Sequence, residues 1–75
     1  MPELRKVSGK EAIKALERLG FIKVRQRGSH VILKKSTLTG SVGCVVPLHK
    51  ELKIGTLFGI LKLAKVEPEE FQKNL

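Results

Sequence analysis

The pair Gly28-Ser29 separates two short runs in which apolar and polar side chains alternate, residues 21–27 and residues 30–35. Glycine takes a positive φ without a Cβ clash, and a glycine-containing pair between alternating runs is typical of a β-hairpin turn. The pattern therefore predicts two antiparallel strands, with His30 as the first residue of the second strand. This hairpin restricts the chain to folds that contain an antiparallel sheet.

A helix is predicted before the hairpin. Ser8 and Glu11 have the spacing of a capping box, in which each side chain accepts a hydrogen bond from the other residue's backbone N–H. Apolar residues then recur at helical spacing up to Leu19, and Gly20 is suited to end the helix in a left-handed conformation.

The elements after the hairpin are predicted from residues that end strands and helices and from the periodicity of apolar residues. Residues 36–41 are predicted to form a polar loop, and residues 42–47 a third strand that ends at its proline. A second helix is predicted from residue 54 or 55 to residue 64, and a last short helix begins near residue 68. The order is α-β-β-β-α, an α+β arrangement in which consecutive strands form an antiparallel meander.

The size and charge of the chain limit the classes of function that it can have. We expect one domain, residues 1–75, and the formal net charge of +8 favours a polyanionic partner such as nucleic acid. The chain has three Phe and neither Trp nor Tyr, which disfavours recognition of single-stranded bases by stacking. A membrane surface, an acidic protein partner or simple solubility would also account for the charge.

The compartment can also be predicted. Cys44 is the single cysteine, so an internal disulfide is impossible, and its apolar neighbours indicate a buried side chain rather than a nucleophile. No segment has the pattern of a signal peptide or approaches the ~20 apolar residues of a membrane span. We therefore expect a soluble, cytoplasmic protein.

The first strand carries a cluster of positive charge. Strict alternation predicts that Lys23, Arg25 and Arg27 share one face, opposite Ile22 and its alternating partners. A row of cations is commonly a solvated strand face, but three cations without a carboxylate among them favour a track for phosphates.

Several segments together resemble the HicA toxins of HicA–HicB toxin–antitoxin modules. The similarity covers nearly the whole chain in order and spacing. The segments that carry it are Val7-Ser8-Gly9-Lys10-Glu11, Leu19-Gly20-Phe21, Arg25-Gln26-Arg27-Gly28-Ser29-His30, Val46-Pro47-Leu48-His49 and Lys50-Glu51-Leu52-Lys53-Ile54-Gly55-Thr56-Leu57.

This resemblance implies a fold like the double-stranded-RNA-binding domain, with two helices on one face of a three-stranded antiparallel sheet. It implies an RNA endonuclease that cuts mRNA and arrests growth, and a HicB-type antitoxin that neutralises it by covering the histidine. The functional histidine of the family lies in the motif matched by Gly28-Ser29-His30, so His30 takes that role.

The resulting hypothesis is that His30 acts as a general base on the 2′-hydroxyl of RNA, because an imidazole titrates near neutral pH. The nearby cations would stabilise the phosphate, and Gly28 and Ser29 would hold it. The predicted RNA-binding residues are Lys23, Arg25, Arg27, Gly28, Ser29, Lys34 and Lys35. No general acid can be named from the sequence.

No metal or cofactor is expected. All seven carboxylates are glutamates, and none lies near His30 in sequence, whereas metal-assisted phosphodiester cleavage generally needs clustered oxygen ligands. His49 follows Pro47 in a turn and could contact a phosphate, but a structural role in the turn is favoured. Three alternatives stay open: a strand-end His30 that only forms a hydrogen bond, a non-catalytic RNA-binding module of the same fold, and an interaction protein whose basic face meets an acidic partner.

Overall fold

The computed structural model describes residues 6–75, so most of the short basic segment at residues 1–7 lies outside the described residues. In chain order the elements are α1 (Gly9–Arg18), β1 (Ile22–Arg27), β2 (His30–Thr37), β3 (Gly40–Pro47), α2 (Ile54–Ala64) and α3 (Pro68–Lys73). The predicted α-β-β-β-α order is confirmed, and α3 is the predicted final short helix.

Helix α1 begins with the predicted capping box. Ser8 Oγ accepts a hydrogen bond from the Glu11 N–H at 3.1 Å, and Glu11 Oε1 accepts one from the Ser8 N–H at 3.0 Å. After Leu19 the chain leaves the helix through Gly20, whose φ of 102° favours glycine. Local signals in the sequence are therefore enough to define both ends of this helix.

The three strands form one antiparallel sheet in the order β1-β2-β3, so β2 is the central strand. Along β2, Val31 and Leu33 are buried, while His30 and Lys34 are exposed. The helices cover the face that carries Val31 and Leu33, and we call the opposite face, which carries His30, the open face. The predicted fold class, a three-stranded antiparallel sheet with the helices on one face, is confirmed.

The loop predicted for residues 36–41 is shorter than expected. Ser36 pairs with Ser41 and Thr37 pairs with Gly40, so both strands extend to a two-residue turn. Serine and threonine side chains raised the polarity of this segment, but the strand ladder accepts them because their backbones pair across the hairpin. The polarity of residues 36–41 therefore did not indicate where β2 and β3 end.

The core lies between the sheet and the helices. Leu16 from α1, Leu33 from β2, Val46 from β3, Leu61 from α2 and Phe71 from α3 are all buried in one cluster. Phe71 is fully buried, and this burial docks α3 onto the core. Every helix thus packs on the same side of the sheet, and this leaves the open face without a covering layer among residues 6–75.

The start of α1 lies directly on the backbone that follows β3. The Gly9 N–H donates a hydrogen bond to the His49 carbonyl oxygen at 2.9 Å. A Cβ at position 9 would collide with the Pro47 carbonyl oxygen and lie 2.9 Å from the Cα of Leu48. Because backbone atoms cannot yield as a flexible side chain can, only glycine fits this contact.

This contact predicts opposite effects for two glycine-to-alanine substitutions in helices. Gly9→Ala should lower the free energy of unfolding by about 1–3 kcal/mol, because the helix and the end of β3 must separate. Gly59→Ala is the matched control in α2, where no heavy atom beyond the neighbouring residues and the helix's own backbone lies within 4 Å of the added Cβ. It should raise that free energy by about 0.5–1 kcal/mol through helix propensity. Urea unfolding followed by circular dichroism measures both, and equal stabilisation by the two substitutions would contradict the close contact.

Candidate nucleic-acid interface

His30 lies at the end of the central strand with a neighbour on each side. It pairs with Arg27 of β1 and with Pro47 of β3, and its side chain is exposed to solvent. The ladder on both sides fixes the backbone of His30 while the imidazole faces outward. A histidine in this position can exchange protons with a bound molecule without a change in the fold.

The turn before His30 is also held in place. Gly28 has a φ of 57° and Ser29 does not have a positive φ, which is the pattern of a two-residue type II′ turn. The Gln26 side-chain amide donates to the Gly28 carbonyl oxygen at 3.1 Å, and the Ser29 carbonyl oxygen accepts the Leu48 N–H at 2.7 Å. Gly28 and Ser29 therefore form an ordered, exposed rim beside the histidine.

Three of the predicted cations lie on the open face with His30. Arg27 is the cross-strand partner of His30, and Arg25 is the partner of Ile32, the next residue of β2 on that face. Lys34 comes four residues after His30, so their Cα atoms are about 13 Å apart at a rise of about 3.3 Å per residue. Within residues 6–75 no ion pair neutralises any of these three side chains. The open face is therefore electropositive around the histidine.

The prediction that Lys23 shares this face is wrong. A β-bulge lies between Lys23 and Arg25, and it leaves Val24 without a partner in the ladder. Lys23 is opposite the buried Leu33 and lines a groove against α1, whereas Arg25 is opposite Ile32 on the open face. One extra residue in the strand reverses the alternation on one side of it, so a strict period of two misplaced Lys23.

Lys35 is likewise separated from His30. It is opposite Val42 on the helix side, and its Nζ lies 5.9 Å from the centre of the Phe21 ring, within reach of a cation–π interaction. The structure thus divides the cations proposed for RNA into two sets. Arg25, Arg27 and Lys34 lie with His30, while Lys23 and Lys35 lie on the other face.

The open face also carries apolar side chains, none of which is among the site residues predicted from the sequence. Ile22 is 64% exposed and Val45 is 44% exposed, and Val45 lies opposite the half-buried Ile32. We call Ile22, Ile32 and Val45 the apolar patch. The alternation in β2 already placed Ile32 with His30, but a single strand does not reveal which of its faces the helices cover.

His49 belongs to a connector that is tied to the same end of the molecule. Its carbonyl oxygen accepts the Gly9 N–H, and nearby the Leu52 N–H donates to the Val7 carbonyl oxygen at 2.7 Å. These bonds fix the path of the chain between β3 and α2, in keeping with a turn role for the residue. Within residues 6–75, no three His, Cys, Asp or Glu side chains come together in a way that would hold a metal ion.

The sequence model of the HicA toxin of bacterial toxin–antitoxin systems matches residues 9–66, well over half of the chain. The matched region contains the whole sheet, helices α1 and α2, and the motif that ends at His30. The chain belongs to the HicA toxin family. It is therefore the toxin component of a bacterial toxin–antitoxin module, and the resemblance drawn from its motifs is confirmed.

A search of curated proteins finds no significant match to this HicA toxin. Among residues 6–75, none of the helices combines the length and the apolar character needed to cross a bilayer.

Cys44 gives a chemical test of the face that the helices cover. Burial raises the pKa of its thiol from 9.0 to about 11. At pH 8 the folded protein should therefore hold about 100-fold less thiolate than the unfolded chain and react slowly with a disulfide reagent such as DTNB. The same protein in guanidinium should react at once. Rapid stoichiometric reaction of the folded protein would contradict the burial of Cys44.

Proposed function

We propose that this HicA toxin is an endoribonuclease that cleaves mRNA, with His30 as the general base. The observation that carries the proposal is the position of His30: exposed, fixed by strands on both sides, and next to Arg25 and Arg27, which have no ion-pair partner within residues 6–75. A strong positive potential at such a site attracts a phosphodiester. Family membership supports the choice of RNA as the target.

The reaction uses the nucleophile that RNA itself carries. The His30 imidazole takes the proton of a 2′-hydroxyl, and the 2′-oxygen forms a bond to the adjacent phosphorus. The bond from phosphorus to the 5′-oxygen breaks with its electron pair, and the 5′-oxygen takes up a proton from water. The products are a 2′,3′-cyclic phosphate and a free 5′-hydroxyl. General-base catalysis of this kind typically contributes about 10²–10⁴-fold.

The open-face cations have separate tasks in this mechanism. Arg27 is the cross-strand partner of His30, and its guanidinium donates to the non-bridging oxygens while their charge increases. Arg25 lies two residues before Arg27 on the same face of β1, and its guanidinium donates to the same phosphate. Lys34, about 13 Å along β2, is too far from the imidazole for the same phosphate and binds a neighbouring one. Gly28 and Ser29 form the rim against which the RNA backbone rests.

The proposed reaction needs no metal ion, because the nucleophile is intramolecular and the cations supply the stabilising charge. It also needs no cofactor. A substrate such as mRNA places the action of this toxin in the cytoplasm.

We also propose that a HicB-type antitoxin neutralises the toxin by covering the His30 site. The apolar patch supports this, because Ile32 and Val45 lie on the same face as His30 and give a protein partner something to bury. Arg25, Arg27 and Lys34 surround the patch, and they match a partner with an acidic rim. Exposed isoleucine and valine side chains make no favourable contact with the charged phosphates of RNA.

The nuclease proposal predicts the effect of removing the imidazole. His30→Ala should lower the rate of RNA cleavage in excess EDTA by about 10²–10⁴-fold and leave RNA affinity within a few-fold of the wild type. Thr39→Ala, in the turn at the opposite end of the sheet, should cleave at the wild-type rate when purified in the same way. Gel analysis of a long RNA gives the rates. RNA binding without cleavage by the wild type would instead favour the non-catalytic RNA-binding module.

The antitoxin proposal predicts that a charge in the apolar patch weakens neutralisation. Val45→Glu should weaken binding of a HicB-type antitoxin by at least ~10-fold, because a charged carboxylate would lose its hydration where an apolar side chain is buried against the partner. Leu63→Glu on the exposed surface of α2 is the control and should bind normally. Isothermal titration measures both. Loss of binding in Leu63→Glu alone would place the antitoxin on the helices and contradict the proposal.

A further inference from the structure

A groove of about 300 Å³ runs between α1 and β1, on the opposite side of the sheet edge from His30. Three lysines line it: Lys10 and Lys14 from α1 and Lys23 from β1. Lys10 and Lys14 are one helical turn apart, and residues at this spacing lie about 5–6 Å from each other between Cβ atoms. The three ammonium groups therefore border a single depression.

Lys23 lines the groove because of the β-bulge. Without the extra residue, strict alternation would place Lys23 on the open face with Arg25 and Arg27. With the bulge, Lys23 turns to the helix side and faces the exposed surface of α1. Bulges often redirect a side chain next to a functional site. Here the redirected side chain completes a row of three cations.

Within residues 6–75, the positive charge in the groove is only partly offset. Glu17 is the one carboxylate among the lining residues, against three lysines. Among the described residues, no ion pair or hydrogen bond engages the side chain of Lys10, Lys14 or Lys23. The groove therefore holds an excess of positive charge, with Ile13 and Leu48 among its apolar lining.

The groove is adjacent to the catalytic site proposed above. Val31 lines the groove and directly follows His30, and Gln26 lines it and supports the Gly28 carbonyl oxygen. The edge strand β1 and the turn at Gly28 and Ser29 separate the two sites. Apart from the residues next to it in the chain, no heavy atom lies within 4 Å of a Cβ built at Gly28, so nothing packs on the turn at that position.

We propose that Lys10, Lys14 and Lys23 bind the sugar–phosphate backbone of the same RNA strand that is cleaved at His30. The strand crosses the rim at Gly28 and continues into the groove. Lysines act there as point charges that hold phosphates without reading bases, in agreement with the scarcity of aromatic side chains. This inference rests on the proposed RNA substrate, and it adds a binding site to that function.

The test measures RNA binding in a His30→Ala background, so that cleavage does not interfere. The groove variant is Lys10→Gln, Lys14→Gln and Lys23→Gln together. The control variant is Lys53→Gln, Lys62→Gln and Lys73→Gln, which removes the same charge from other exposed lysines. The probe is a short single-stranded RNA, titrated by fluorescence anisotropy at salt concentrations between about 50 and 200 mM.

The groove variant should reduce the slope of log K against log salt by about 2, since each phosphate contact to single-stranded RNA contributes about 0.7. Its affinity at about 100 mM salt should fall about 10–100-fold, and the control should change far less. Replacing the three groove lysines by arginine should preserve the slope. Equal losses in the groove and control variants would overturn the proposal, because the effect would then come from net charge alone.

The binding measurement tests the groove proposal and the cleavage measurement tests the nuclease proposal, so either proposal can be wrong while the other holds. If the wild type cleaves RNA through His30 but the groove variant binds like the control, the groove proposal is wrong and the nuclease proposal stands. If the groove variant shows the reduced salt slope but no form of the protein cleaves RNA, the groove is an RNA site and the nuclease proposal is wrong. All three groove lysines are exposed, and circular dichroism of the variant checks that it folds.

Discussion

The central position of β2 is the constraint on which the rest of the structure depends. Pairing on both edges fixes the strand's register, and burial of Val31 and Leu33 under the helices fixes which face is covered. The histidine that begins the strand must then lie on the open face, next to Arg27. The same alternation that builds the core therefore also exposes the candidate catalytic group, and a one-residue slip of register would bury it.

The β-bulge in β1 places cations of the edge strand on both sides of the sheet. On one side of the bulge Arg25 and Arg27 join His30 on the open face, and on the other side Lys23 joins α1. A bulge also protects an exposed strand edge from pairing with other chains, and a charged edge does so as well. A chain of this size has few elements, and a single irregular residue lets one short strand supply cations to both faces of the sheet.

Local signals allowed much of the fold to be predicted from the sequence. The capping box at Ser8 and Glu11, the left-handed Gly20 and the turn at Gly28 are each encoded within a few residues. The bulge and the covered face of β2 could not be predicted in this way, because both depend on pairing with distant residues. The position of His30 was predictable, but the grouping of the cations around it was not. The contact of Gly9 with the end of β3 is a further long-range feature without a local signal.

The proposed mechanism requires His30 to remove the proton of a 2′-hydroxyl, and the sharpest test changes that hydroxyl rather than the protein. Once a cleavage site has been mapped, the measurement is cleavage of the same RNA with a single 2′-deoxynucleotide on the 5′ side of that bond. If the 2′-hydroxyl is the nucleophile, cleavage stops at this bond and continues at the others, and the unmodified RNA gives 2′,3′-cyclic phosphate ends. Unchanged cleavage of the deoxy-substituted bond, with a 5′-phosphate on the product, would show that water is the nucleophile and that His30 does not act on a 2′-hydroxyl.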